Sequence, residues 1–395
     1  MEEREIIIVG AGPAGATAAI LLARLGHDVL LLDRQAFPRD KACGDAVAAG
    51  TIALLHALGM APAIEQAVAA QHWYPVNALR LLSPRGYRVD ANFPANKVGY
   101  IAPRAHFDAA IQHHALVCGA EFRCAQVQGP LFTHGRVAGV IIRNQAGEQK
   151  IRARVVIGAD GATSVIARKL RPQPLDEQHR AVALRAYIEG IEIAPHCIEF
   201  YFFRDILPGG YAWLFPLGEE RANIGLGLRL DRLRQRQAGH AVGTKGQLDL
   251  KRALEQLLAH PIIKPRLKHG SRVDNIATWP LTLGVQQDVR YAWDGALLIG
   301  DAAGFTNPLT GAGIHNALHS AQLAAEVIQQ AFVGHDLSYR MLRLYEQRCH
   351  QTFTAQLRRA HQLERLTTFP VILDLLVRWL GKNNAFTQTF MAKIW

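Results

Sequence analysis

Gly10, Gly12 and Gly15 break an apolar run, IIIVGAGPAG over residues 6–15, and Asp33 stands about twenty residues on at the end of HDVLLLD. In this spacing Gly10 permits a tight turn and Gly12 lets a backbone approach a pyrophosphate. Gly15 lets helix and strand pack closely. The helix start beyond them offers its positive dipole end to a phosphate, and Asp33 can accept hydrogen bonds from ribose hydroxyls. A second stretch, GDAAGFTNPLTGAGI over 300–314, sits far down the chain. Asp301 comes after the apolar strand ALLIG, where its carboxylate can take a ribityl hydroxyl. The amides of Gly313 and Ile314 open a helix and can face the electron-rich edge of an isoalloxazine, with Pro308 and Gly311 fixing the turn. A site for NAD needs only the first stretch; both together describe the two walls of a longer dinucleotide.

These residues have to be positioned by a doubly wound sheet. Residues 5–33 read as strand, glycine turn, alanine-rich helix and strand, the start of an α/β domain. Arg104 to Gly119 has helical spacing, and Arg136 to Ile157 carries β-type runs ending in VVIGADG. From Arg180 to Leu230 the pattern changes to strands rich in aromatics (AVALRAYIEGI, CIEFYFF, YAWLFPL, ANIGLGLRL), which predicts a mostly antiparallel sheet able to floor a cavity. A basic linker over 231–246 precedes a helix at about 247–258. A long helix runs from Gly313 to about Phe332, and residues 338–395 read as helical. The expected division is a discontinuous cofactor domain (1–75, 100–172, 275–335), a substrate domain (76–99, 173–274) and a C-terminal helical region (336–395).

The chain has 395 residues, 49% of them apolar and 19% charged, as expected for a globular protein with a large core. Its five cysteines are scattered without a CxxC pair, which argues against a disulfide framework or a zinc site. His315 and His319 have i, i+4 spacing but no HExxH pattern and no evident third ligand, so no metal is expected. The formal charge of +11 is spread along the chain without basic runs interleaved with aromatics, which excludes a nucleic-acid reading and leaves attraction to anionic lipid or a phosphorylated partner. The apolar run 6–23 is interrupted by glycine and proline and flanked by Glu2, Glu3 and Glu5, unlike a signal peptide. The apolar segment 369–380 holds Asp374 and Arg378 and is too short to span a bilayer. A cytoplasmic protein, with peripheral membrane contact open, is the expectation; the oligomeric state is not legible.

On these residues the chain resembles the FAD-dependent superfamily typified by para-hydroxybenzoate hydroxylase, over about residues 1–335. GAGPAG with Asp33 matches the adenosine and pyrophosphate site, and Arg104 in RAHFDAAI matches an arginine that contacts the FAD chain. GADGATSVIARKL (158–170), with Asp160 and Gly161, matches the Asp-Gly motif, and the 300–314 stretch matches the ribityl and flavin motif. Within that superfamily, FPRDKACGD (37–45), NPLTGAGI and PGGYAWLFPLGEERANIGLG are similar to the geranylgeranyl reductase family, in which FAD delivers hydride to carbon–carbon double bonds of isoprenoid chains. Flavin halogenases instead carry a Gly-Glu-Ser loop and a Trp-x-Trp-x-Ile-Pro motif, where this chain has Cys43-Gly44-Asp45 and Tyr211-Ala-Trp213-Leu-Phe-Pro. The resemblance adds Pro13, Ala14, Arg34, Ala42, Cys43, Gly44, Val127 and Gly300 to the cofactor-binding set.

The resemblance implies a chemistry that the residues can support. Tyr211, Trp213 and Phe215 alternate along one strand and so share a face. Core packing would explain them too, but the family pattern favours an aromatic wall beside a prenyl chain. An unactivated alkene accepts hydride poorly unless the other carbon is protonated, and aromatic faces stabilise the developing cation. The catalytic set is then Tyr211 and Trp213 with a proton donor among Cys43, Asp45 and His315. No second complete GxGxxG comes after a strand, so NADPH or reduced ferredoxin is expected as a transient donor. Two other functions compete: an O2-dependent monooxygenase (or halogenase-like enzyme) acting on an aromatic or polyketide-like compound, and a membrane-associated electron-transfer or assembly flavoprotein.

Overall fold

The computed structural model describes residues 1–144, 147–171, 176–232, 250–284, 289–367, 369–383 and 386–388. The strand Glu2–Val9 lies at the centre of an eight-stranded sheet, because its second half, Ile6–Val9, is apolar and buried on both faces. It pairs in parallel with Gly147–Gly158 on one side and Val29–Asp33 on the other. Ala296–Leu298 and Glu121–Cys124 extend the parallel order outward. The strands Gln126–Thr133 and Arg136–Asn144 are an antiparallel addition to Gly147–Gly158. The helix Pro13–Arg24, begun by a proline at its first turn, covers the sheet together with Ile314–Val333 and Arg104–Val117.

The register gathers the distant motifs. Val9 is aligned with Leu32 and Gly158, and Gly158 with Leu298. The GAGPAG turn, Asp33, the Ala159–Gly161 turn and Gly300–Asp301 therefore all leave the sheet at one edge, where the carboxyl ends of parallel strands place ligands in open α/β sheets.

A second, seven-stranded sheet runs in the order Leu267–Thr282, Arg180–Ile191, Arg221–Arg229, Tyr211–Gly218, Cys197–Tyr201, Ala78–Leu82, Arg88–Asn92. All its pairings are antiparallel except that between Ala78–Leu82 and Cys197–Tyr201. One face packs with the helix Leu250–Ala259 in an apolar cluster. The other carries Trp213 and Phe215, and at its Arg88–Asn92 edge the C-terminal helix Pro370–Lys382 joins the same apolar cluster through Leu373, Val377 and Leu380. This mixed architecture, a dinucleotide-type sheet with a separate mainly antiparallel sheet and C-terminal helices, is the one expected. The expected linker lies almost wholly outside the described residues. The helix after it begins, among those described, at Leu250.

Candidate active site

The glycine turn behaves as its spacing implies. Gly10 has φ +100, and a Cβ on it would stand 2.4 Å from the Ala159 carbonyl oxygen. A Cβ on Gly15 would stand 1.8 Å from the Gly10 oxygen, so helix and strand touch through bare backbone. Gly12 differs: among the described residues, a Cβ on it would meet no more than a guanidinium nitrogen of Arg39, at 3.7 Å. Open space, a helix N-terminus beginning at Pro13–Ala14 and one cation fit a pyrophosphate. Asp33 accepts from the amides of Ala11 (2.9 Å) and Gln35 (3.1 Å), which holds its carboxylate at the mouth of this turn. Arg34 next to it is exposed, and Val127 is half-buried on the neighbouring antiparallel strand.

At the other end of the cradle, Asp301 Oδ1 accepts from Thr306 Oγ1 (3.0 Å) and lies 2.9 Å from where a Cβ on Gly313 would be. The carboxylate thus sits at the N-terminus of the helix Ile314–Val333, with Lys41 Nζ 3.8 Å from its second oxygen. Enclosure, and after it the charge of Arg104, pushes the Lys41 ammonium down. Gly300 (φ +58) lets the strand end come within reach of Ala14 and Ala317, while Pro308 is buried and Gly311 (φ +68) passes under the Tyr211 hydroxyl. Asp160 spends its carboxylate on Ser164 Oγ and the amides of Val165 and Ile166, capping the short helix Val165–Leu170. Burial raises its pKa. Gly161 (φ +75) comes next, within about 4 Å of Lys41 Nζ.

Arg104 is buried, and its guanidinium grips Asp108 with bonds of 2.6 and 2.7 Å. Arg39 reaches the same carboxylate (3.1 Å) and approaches Asp33 (3.6 Å). Arg104 also bonds the Cys43 side chain, and its backbone amide donates to Asp45 Oδ1 at 3.3 Å. It therefore works as a junction between the cofactor cradle and the Cys43-Gly44-Asp45 turn.

That turn meets the second sheet closely. Asp45 is fully buried in the left-handed region (φ 62), and its Oδ2 accepts from Tyr187 (2.7 Å) and Asn223 Nδ2 (2.8 Å). Tyr187 and Asn223 are directly opposite one another on paired strands. Asn223 also donates to the Cys43 carbonyl (2.8 Å) and accepts from Trp213 Nε1 (2.8 Å), so all its polar atoms are used. Burial pushes the Asp45 carboxyl up to about 6 against the bonds from Tyr187 and Asn223, which favour the charged form. Desolvation likewise raises the Cys43 thiol, which remains partly exposed. A Cβ on Gly44 would stand 2.9 Å from the Phe215 ring, so only glycine lets this turn lie against the aromatic strand.

Tyr211, Trp213 and Phe215 do share a face. Their rings succeed one another at 6.1 and 6.2 Å, with Phe200 edge-on to Tyr211 and Phe215. Trp213 lies across Gly225, where a Cβ would stand 2.2 Å from the indole. Tyr211 donates to the Thr310 carbonyl at 2.6 Å, tying this strand to the loop that precedes Gly313. His315 stands apart from this group. Its ring rests on Gly50 and meets His319 edge-on at 6.1 Å, and burial, then His319, lowers its pKa.

Arg39, Lys41, Asp108, Tyr187 and Asn223 join the site without having stood out in the sequence. Their signal is faint: Arg39 and Lys41 lie within a recognised motif, and Tyr187 and Asn223 stand in strands that also bury Arg185 and Arg229, so no pattern singles them out. Cys43, Gly44, Asp45 and the three aromatics come together as a unit.

Open space at a helix N-terminus beside Gly12, and a carboxylate at a second helix N-terminus at Asp301, suit the two ends of a long dinucleotide such as FAD. A family model described as an FAD binding domain matches residues 3–360. Digeranylgeranylglycerophospholipid reductase 2 of Methanopyrus kandleri is 34% identical over 89% of this chain and 83% of its own length. A reductase of the same name from Methanothermobacter thermautotrophicus is 31% identical over 94% of this chain and 88% of its own. The solved structure of a geranylgeranyl bacteriochlorophyll reductase-like protein of Thermoplasma acidophilum superposes with a TM-score of 0.84 at 26% identity, covering 96% of this chain and 92% of that one. A myxobacterial chondrochloren halogenase shares the fold (TM-score 0.74, 24% identity, 91% and 82% covered). The chain belongs to the geranylgeranyl reductase family of FAD-dependent oxidoreductases.

Proposed function

We propose that this enzyme saturates carbon–carbon double bonds in the isoprenoid chains of a digeranylgeranylglycerophospholipid-type lipid, taking electrons from NADPH or reduced ferredoxin. The observation that carries the reading is the contact between the Cys43-Gly44-Asp45 turn and the aromatic strand, beside the loop that leads into Gly313. Bound FAD supplies the hydride. Gly12, Arg39 and Asp33 would hold its pyrophosphate and adenosine end, and Asp301, Lys41 and Gly313 its ribityl and ring end.

Tyr211, Trp213 and Phe215 line the bed of a flat, apolar chain and exclude water from it. Their electron-rich faces favour positive charge developing at one alkene carbon as the other takes a proton. Cys43 is our proton-donating group: desolvation raises its thiol further and so keeps the proton in place until it is taken, and its side chain is partly exposed where that of Asp45 is buried. Asp45 is a positioning residue, enclosed behind Cys43, holding the turn through Tyr187 and Asn223. In this reading the substrate bed is the second sheet and the cofactor bed the first. Because its substrate is a membrane lipid, the enzyme works at a membrane periphery; no helix among the described residues is long and apolar enough to cross one.

The test is anaerobic. Pre-reduced enzyme mixed with a detergent-dispersed digeranylgeranyl phospholipid should be reoxidised without oxygen. Failure to reoxidise with any geranylgeranyl-type lipid, with rapid reoxidation only when oxygen is admitted, would favour the monooxygenase reading.

A further inference from the structure

The helix Pro370–Lys382 is apolar on two sides. Leu373, Val377 and Leu380 face inward and join the cluster that contains Trp213 and Phe215. The outward side shows Val371, Ile372, Leu375, Leu376 and Trp379 to solvent, 37 to 60% exposed, with Phe369 before the helix and Phe386 after it about half exposed or more. Monomeric soluble proteins rarely leave so many large side chains contiguous in water. The helix's one acid, Asp374, is turned inward, where it accepts from Ser83 Oγ (2.6 Å) and the Arg85 amide (3.0 Å). The exposed side of the helix therefore carries Arg378 and Lys382 and no carboxylate. Beneath it, Arg85 (70% exposed) pairs with the buried Asp374, and Arg88 (53% exposed) pairs with Asp90, so Arg378 and Lys382 supply the charge that the helix itself shows to solvent.

We propose that this face, the outward side of Pro370–Lys382 with Phe369 and Phe386 beside it, seats the enzyme on an anionic phospholipid surface. Apolar side chains ringed by cations, with the helix in the plane of the interface, are what such a surface binds. The proposal deepens the substrate reading, on which it rests, because the inner side of the same helix packs on the edge strand Arg88–Asn92 and joins the apolar cluster to which Trp213 and Phe215 belong. A prenyl chain leaving the bilayer at this point would enter at the Arg88–Asn92 edge of the sheet face that carries Trp213 and Phe215. The charge pattern favours lipid over a second copy, since two such helix faces together would bring four cations and no carboxylate of their own into one interface.

The experiment uses FAD-loaded full-length protein and substrate-free vesicles, either pure phosphatidylcholine or roughly seven parts of it to three of phosphatidylglycerol. The expected result is flotation with the anionic vesicles, about tenfold stronger than with neutral ones and weakened by salt. The double variant Leu375→Ser/Trp379→Ser should lose about tenfold in partitioning. It should keep its flavin absorbance and its reoxidation by detergent-dispersed lipid. Trp379→Phe should keep binding while losing the vesicle-induced blue shift of tryptophan emission. No vesicle binding, or undiminished binding by the double variant, would overturn the proposal. A dimer in solution that the double variant dissolves would overturn it too, as would binding that appears only after residues 389–395 are removed. Vesicle binding without any reoxidation by prenyl lipid would leave this surface standing and sink the substrate reading instead.

Discussion

The two halves of the site are made from different materials. At the edge of the parallel sheet the chain makes room by omitting side chains: Gly10, Gly15 and Gly300 stand where a Cβ would strike another part of the protein, and Gly12 opens on space. Across from it, the second sheet builds a bed by adding side chains, three aromatic rings together with Tyr187 and Asn223, which hold the buried Asp45 of the facing turn. A cradle of backbone tolerates almost no addition, because close-packed backbone cannot yield. A bed of side chains can lose a member and keep its shape, but its chemistry shifts.

The sharpest break of that contrast is Gly15→Ala. Its Cβ meets a carbonyl oxygen, and we expect loss of bound flavin and at least about 3 kcal/mol of stability, read by the flavin-to-protein absorbance ratio and thermal melting. Cys43→Ala should leave flavin content intact and slow substrate reoxidation of reduced enzyme by about 10²- to 10⁴-fold in stopped flow. Equal rates in the variant would remove the thiol from the mechanism. Next, Asn223→Ala strips partners from Trp213 Nε1, the Cys43 carbonyl and Asp45 together. A cost of about 2 kcal/mol should appear in denaturant titration, with turnover lowered through misplacement of the turn.

The smallest effect sharpens the comparison most. The Tyr187 hydroxyl bonds the charged form of Asp45 and so holds its pKa down against burial. Tyr187→Phe should therefore raise that pKa, moving the pH midpoint of any step sensitive to Asp45 upward from about 6. The same shift sets the sign for stability. The folded protein binds this proton more tightly than the unfolded chain, whose carboxyl titrates near 3.8. The contribution is full below that pH and is lost as pH rises through about 6. Asp45→Asn should flatten this part of the stability profile, checked by melting at a series of pH values.

The same difference explains what could be read from the chain alone. Glycine spacing is a local signal, so Gly10, Gly12, Gly15 and the Gly300–Ile314 stretch announced a long dinucleotide and the parallel sheet that carries it. The alternation of Tyr211, Trp213 and Phe215 announced one aromatic face, again within a single strand. Tyr187 and Asn223 gave no such notice. They act only because antiparallel pairing sets them opposite each other and the distant 43–45 turn lays Asp45 between them, and no periodicity encodes a contact across 140 residues or more. Arg104 illustrates the intermediate case: its motif was visible, but its grip on Asp108 four residues on, and on Cys43, needed the helix and the turn together. His315 shows the converse, a histidine on a motif whose ring the fold turns toward Gly50 and His319.

The central claim is that the aromatic bed presents an alkene for reduction. Mass spectrometry of the lipid product, formed under labelled oxygen with a reductant present, tests it most directly. The account predicts a product heavier by one hydrogen pair for each double bond lost, deuterated when the reaction runs in heavy water, and free of labelled oxygen. A product that retains its double bonds or carries labelled oxygen would contradict it.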